Sequence, residues 1–334
     1  MTQKYLIPLT AVFLLFLVAY TGAGAGLGWF FGIVVPYLAV LAFLVGFVVK
    51  VMGWAASAVP FRIPTTCGQQ KSLPWIKQNP IDNPDTSSGV FVRMLLEIFA
   101  FRSLFRNTKA AFSRNAANRI TYSWEIFLWV GALAFHYAFL VVVLRHFRFF
   151  TAPVPGAIQF LEALDGIVQI GLPGLFLSGV VLPAAVLFLL ARRLFDAKVK
   201  YMSRASDYFP LFLILGIAAT GISMRYFTKV DVTGIKEMTM GLVTFSPVIP
   251  DGISGLFYGH LFLVSILFAY FPASKLMHLG GVFLSPTRNM ANNTRAKRHV
   301  NPWNYDVPIH TYEDYEDHFR DKMIEAGLPV DKKE

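Results

Sequence analysis

The chain has 334 residues, 55% of them apolar and only 15% charged, with a mean hydropathy of +0.52. A soluble domain carries roughly a quarter charged residues and does not gather its apolar ones into runs of about twenty, so the composition excludes most soluble classes and marks an integral membrane protein. A single cysteine, Cys67, excludes a disulfide framework and any thiolate-bound cluster or structural zinc within this chain, and no CxxCH sequence offers a covalent haem attachment.

In chain order, apolar runs predict six spans: Leu6 to Thr21, Trp29 to Met52, Trp124 to Leu144, Leu172 to Ala191, Phe209 to Met224 and Leu256 to Ser274. The first is the shortest. The glycine-rich run Thr21 to Gly28 between the first two reads as a tight reversal, since no strand–turn–helix context makes it a nucleotide loop. The net charge of +10 records topology rather than a nucleic-acid partner. Of 30 Lys and Arg, 25 fall before the first span, between Lys50 and Arg119, between Arg192 and Arg204, or from Lys275 onward. The opposite loops hold Arg145, Arg148, Arg225, Lys229 and Lys236. The positive-inside rule therefore puts both termini in the cytoplasm of a multi-pass inner-membrane protein.

Two polar stretches interrupt the spans. The loop after Gly53 is proline-rich and then amphipathic from Val90 to Phe105, with Arg93, Arg102 and Arg106 among phenylalanines, as suits a helix on the membrane surface or against a partner. The tail beyond His278, with Trp303, Tyr305, Tyr312 and Tyr315, reads as a docking strap that orders on binding. Boundaries follow: 1–28 an additional span and turn, 29–52 the first core span, 53–122 a cytoplasmic loop, 123–284 the core, and 285–334 the tail. Cys67 stands without an activating neighbour, and His299, His310 and His318 lie in the tail without metal-ligand spacing.

Four of the seven histidines occupy two spans. His136 and His146 lie on the third, and His260 and His278 bracket the sixth. Polar side chains in hydrocarbon ask for a partner or a ligand. On an ideal helix the ten-residue interval covers about 15 Å with an 80° rotation, and the eighteen-residue interval about 27 Å on one face. Both intervals can hold two haems stacked across a bilayer, given tilted helices. Opposite chain directions pair His136 with His278 on the inner side and His146 with His260 on the outer. Pro272 should bend the sixth helix before His278. Arg145 and Arg148 are placed to neutralise outer haem propionates, and Arg192, Arg193 and Lys275 inner ones. Arg145, Glu162, Asp165 and Tyr258 are the polar candidates for a quinol pocket near the outer pair, where a carboxylate suits proton acceptance.

The histidine spacings and the runs AFHYAFLVVVLRHF, LLARRLF and GHLFLVSILFAYFPASKLMHL resemble the γ-subunit of respiratory nitrate reductase, a dihaem cytochrome b. The likeness covers about Trp29 to Leu284. It implies an all-α integral membrane protein whose four- to five-helix core binds two haems b through the four histidines. The family's outer-loop lysine has no counterpart between His146 and Leu172. The additional N-terminal span, the insertion PFRIPTTCGQQKSLPW and the long tail resemble the DsrM branch, the membrane cytochromes b of sulfite-reduction-associated DsrMKJOP complexes and their Hme relatives. That branch implies menaquinol as substrate, a cytoplasmic iron–sulfur partner of the DsrK type, related to heterodisulfide reductase, and further subunits DsrJ, DsrO and DsrP. The alternatives are a nitrate reductase γ-subunit serving a molybdoenzyme, and a non-haem membrane scaffold or proton path.

Overall fold

The computed structural model describes residues 3–57, 59, 69–113, 119–168, 173–297 and 308–331. Cys67, His299, Trp303 and Tyr305 lie outside them. The helices are α1 (Gln3–Gly22), α2 (Val35–Ala55), α3 (Ser87–Ala100), α4 (Arg102–Phe105), α5 (Ile126–His146), α6 (Gly156–Asp165), α7 (Leu177–Phe195), α8 (Ala197–Met202), α9 (Ala205–Ile222), α10 (Val232–Val243), α11 (Gly255–Tyr270), α12 (His278–Gly281) and α13 (Tyr312–Glu325). One antiparallel ribbon, β1 (Thr108–Ser113) with β2 (Arg119–Trp124), departs from the all-helical expectation.

Among the described residues, six segments are long and apolar enough to cross a membrane: Gln3–Leu27, Phe30–Ala55, Ile126–Phe149, Leu177–Phe195, Ala205–Thr228 and Gly255–Ala273. Leu14, Leu41, Val45, Val49 and Phe127 are each more than half exposed. Such an apolar exterior is favourable only where hydrocarbon replaces water. The first span is not the shortest, because helical turns continue past α1 in π-geometry through Ala23–Leu27 and give it 25 residues. The chain reverses at Gly26, whose φ of +88° is left-handed and free of penalty only without a Cβ.

Side-chain meetings fix the direction of each span. Tyr20 lies at Gly255 and Phe16 at Gly259, so α1 runs antiparallel to α11. Gly32 lies at Tyr258 and Gly46 at Pro272, so α2 runs parallel to α11. Thr220 meets His260 and Tyr270 meets Ser206, which sets α9 antiparallel to α11. Arg192 reaches Glu125, and Gly131 sits so close to Phe188 that a Cβ would lie 2.4 Å from its ring, which sets α5 tightly antiparallel to α7. Spans thus alternate in direction, and the start of α1 and the end of α11 share one end of the bundle. We call this the basic end.

The order across the bundle is α5, α7, α9, α11 and α2, with α1 against both α9 and α11. One apolar core joins Leu182, Val186 and Leu190 of α7, Tyr208 and Leu213 of α9, Leu263 and Leu267 of α11, and Val12 of α1. Helices α5 and α11 share no extended packing; α7 and α9 hold them at a distance.

The sixth span requires a correction. The interval from His260 to His278 is not five continuous helical turns: α11 ends at Tyr270, a 3₁₀ turn follows over Phe271–Ala273, and Ser274 is extended at φ −118° and ψ 176°. The Ser274 hydroxyl accepts a hydrogen bond from the backbone of Leu276 at 3.1 Å and starts a new turn. Pro272, which lacks a backbone donor, does more than bend the helix. His278 therefore stands on a separate short element. The amphipathic loop segment is also interrupted, since α3 stops at Ala100 and Phe101 takes the left-handed conformation at φ +50°.

Candidate functional site

The His136 and His278 rings approach with centroids 5.9 Å apart and planes at 85°. His146 lies close enough to His260 to interact with it electrostatically, at the far end of the same two chain segments. His136 and His260 are half-buried, whereas His146 and His278 are exposed. Each pair thus joins one histidine of α5 to one of α11 or its continuation, across the distance that α7 and α9 maintain.

In all four rings Nδ1 is engaged. It contacts the Ala132 carbonyl in His136 at 2.8 Å, the Val142 carbonyl in His146 at 2.6 Å, and the Lys275 carbonyl in His278 at 2.8 Å. In His260 it contacts the Thr220 hydroxyl at 2.8 Å, and that hydroxyl also reaches the Gly216 carbonyl. A carbonyl can only accept, so Nδ1 carries the proton and Nε2 keeps its lone pair for a metal. Thr220 serves His260 the same way while donating to Gly216. The contact to the carbonyl four residues back is a common helical rotamer, shared by His318 with Asp314. What distinguishes the site is that such rings meet in pairs.

Two nitrogens do not complete the shell of a bare metal ion, and among the described residues no three His, Cys, Asp or Glu side chains converge. A pair suits a planar macrocycle that brings four equatorial nitrogens of its own. Two imidazoles bound to one iron from opposite sides would place their ring centroids about 6 Å apart. The His136/His278 separation of 5.9 Å matches this. The donor set and spacing fit a haem.

The cations expected to meet propionates hold other partners. At the basic end Arg192 pairs with Glu125 at 3.0 Å, Lys275 pairs with Asp207 at 2.6 Å, and Arg193 donates to the Ser203 hydroxyl at 3.1 Å. At the opposite end Arg148 pairs with Glu162, and Arg145 with Asp165 at 3.0 Å. Each of these cations has a carboxylate or hydroxyl within reach; Arg145 is the most buried of the paired ones, whereas the Lys275 side chain is 79% exposed.

The quinol candidates separate into two places. Asp165 is only 7% exposed and accepts from both the backbone and the hydroxyl of Ser178, at 2.7 and 2.6 Å. It therefore caps the start of α7 while neutralising Arg145, and is not a solvated loop charge. The Arg145 guanidinium lies 3.6 Å from the Phe176 ring centroid, and Arg225 lies 3.9 Å from the same centroid. Beside them a cavity of about 340 Å³ is lined by Gln159, Glu162, Gly166, Gly174, Phe176 and Arg225. Arg145, Glu162 and Asp165 thus belong to one cluster. Tyr258 packs instead against Gly28 and Gly32 at the α1–α2 reversal, within a second apolar core that includes Phe31 and Met238.

Sequence reasoning passed over Thr220, Phe176, Arg225 and Phe101. A hydroxyl in mid-span could have flagged Thr220 as a partner for a polar side chain. Nothing in the sequence marks the other three.

Six alternating spans among the described residues, with His136 facing His278 and His146 lying toward His260, fit a multi-pass membrane protein of the cytochrome b type. The chain belongs to the nitrate reductase gamma subunit family, whose model matches residues 89–297, from α3 to the segment beyond α12. It is also similar to a protein of Archaeoglobus fulgidus described as an Hdr-like menaquinol oxidoreductase cytochrome b-like subunit, with 45% identity over 291 residues covering 85% of this chain and 86% of that one. A protein of Archaeoglobus profundus with the same description is 42% identical over 283 residues, covering 82% and 83% of the two chains.

Proposed function

We propose that this chain is the dihaem cytochrome b subunit of a menaquinol-oxidising complex, with menaquinol oxidised at the His146/His260 end and its electrons delivered at the basic end to a cytoplasmic iron–sulfur subunit. The observation that carries the reading is the approach of a histidine at the middle of α5 and another at its end to one histidine each of α11 and its continuation, each ring with Nδ1 engaged. Each haem b would supply a one-electron carrier suited to electron transfer rather than oxygen binding. His136 and His278 would hold one, and His146 and His260 the other.

The chain's own residues set the rest. The cavity beside Phe176 and Arg225 offers a quinol ring an aromatic edge and polar groups at the level where a span begins. Glu162 and the Arg145–Asp165 pair are the groups there to receive or steer protons. Single-cysteine composition leaves the acceptor cluster to another subunit. The likeness to the Hdr-like menaquinol oxidoreductase subunits of Archaeoglobus supports a heterodisulfide-reductase-like partner. In this reading that partner is of the DsrK type, other subunits are of the DsrJ, DsrO and DsrP types, and the complex serves dissimilatory sulfur metabolism. The distribution of Lys and Arg supports a cytoplasmic basic end.

A reduced-minus-oxidised spectrum with a pyridine haemochrome assay tests the reading: two haems b per chain, both reducible by a menaquinol analogue, are expected. His136→Ala or His278→Ala should each remove one haem and leave the other, and the same haem in both cases. Folded protein without haem would overturn the proposal, and loss of different haems in the two variants would overturn the pairing.

A further inference from the structure

Phe101 is one of three described non-glycine residues with a positive φ, and its ring lies against His136. Its φ of +50° and ψ of +48° put a bulky aromatic in the left-handed region, a conformation that is unfavourable for an ordinary residue and persists only where the surroundings enforce it. The enforcement is visible. Three side chains flanking or on α5 donate to backbone carbonyls around this corner: Tyr137 to Phe99 at 2.8 Å, Trp129 to Ala100 at 2.7 Å, and Trp124 to Phe105. From the other side, Glu97 accepts from the backbone and hydroxyl of Ser103, at 3.0 and 2.7 Å, and pairs with Arg288 at 2.8 Å.

The result of this corner is one contact. The Phe101 ring meets His136 edge-on, with centroids 4.9 Å apart and planes at 83°. Phe135 meets the same imidazole at 4.9 Å and 86°. With Nδ1 held by Ala132 and two phenylalanine rings against it, the imidazole has little freedom to turn about its Cβ–Cγ bond. Its plane is thereby kept nearly perpendicular to that of His278.

We propose that Phe101 is a positioning residue: together with Phe135 it clamps the His136 imidazole perpendicular to His278, so that a segment lying outside the membrane spans sets the ligand geometry of the inner pair. The inference rests on the haem reading above. Mutually perpendicular axial imidazoles split the iron d orbitals less than parallel ones, and give a more anisotropic low-spin signal in electron paramagnetic resonance.

The test uses the full-length oxidised haem protein. Phe101→Gly removes the ring yet suits the left-handed backbone, so folding is spared; Phe101→Tyr keeps the ring. In F101G one of the two low-spin signals should shift toward lower anisotropy, the midpoint potential of the same haem should move, and two haems per chain should remain. F101Y should match the wild type. Unchanged signals in F101G, equal shifts in both haems, or the same shift in F101Y would overturn the clamp. Wild-type protein without haem would instead overturn the underlying reading.

Discussion

Arg145 and Asp165 form the most buried ion pair at the end of the bundle opposite the basic one, with side chains 11% and 6% exposed. Removing one partner of such a pair strands the other in a poorly solvating place, which costs about 3–5 kcal/mol. Asp165→Ala should therefore lower thermal stability in detergent steeply, and Asp165→Asn less, because its amide oxygen can still accept from Ser178. Equal losses would mean that the charge contributes little. A gentler case lies at the basic end, where Asp196 accepts from Lys109 at 2.6 Å and caps α8. The Lys109 hydrogen bond first, and the cap after it, hold this carboxyl below its ordinary value of 3.8. A depressed folded pKa gives stability that is present above the unfolded value and lost as pH falls through the folded one. Asp196→Asn should accordingly show a shallower loss of melting temperature on acidification than the wild type, and identical acid profiles would refute this. The histidine spacing was legible because ligand residues are rare in hydrocarbon. The partners of Arg145 and Arg192 were not, since α6 and the start of α5 bring carboxylates to them only after folding.

At the scale of elements, hydropathy revealed the spans but not their ends. Helix α1 gained a turn because π-geometry can carry a helix into glycines that read as a loop. The reversal itself was legible in the glycine run, and its critical position can be isolated. A Cβ at Gly26 or at Gly24 would meet nothing within 4 Å, yet only Gly26 has a positive φ. Gly26→Ala should destabilise by about 1–2 kcal/mol through backbone strain alone, while Gly24→Ala should be neutral or slightly favourable. Thermal unfolding of the two variants side by side checks this, and similar effects would place the strain elsewhere. The stop of α3 at Phe101 had no signature, because phenylalanine is a poor left-handed residue and the corner is imposed by Trp129 and Tyr137 from another helix. The ribbon β1–β2 and helix α10 likewise escaped notice, being short elements in stretches dominated by charge or by flanking spans.

For the molecule as a whole, the family match begins at α3 and leaves out the first two spans. They are nevertheless not appendages: Val12 and Ala19 of α1 are almost fully buried, the former within the core that joins α7, α9 and α11. The composition could say that these helices cross a membrane, but helix-to-helix order depends on close contacts such as Gly131 with Phe188, which periodicity does not encode. The break at Ser274 bears on how the family's histidine spacing should be understood. Since the helix ends before His278, the interval from His260 is a length of tether and not a count of turns. His278 is moored through neighbouring Lys275 to Asp207 at the start of α9. A residue gained or lost between Tyr270 and Ser274 would be absorbed by that tether, whereas the same change between His136 and His146 would turn one histidine away from its mate.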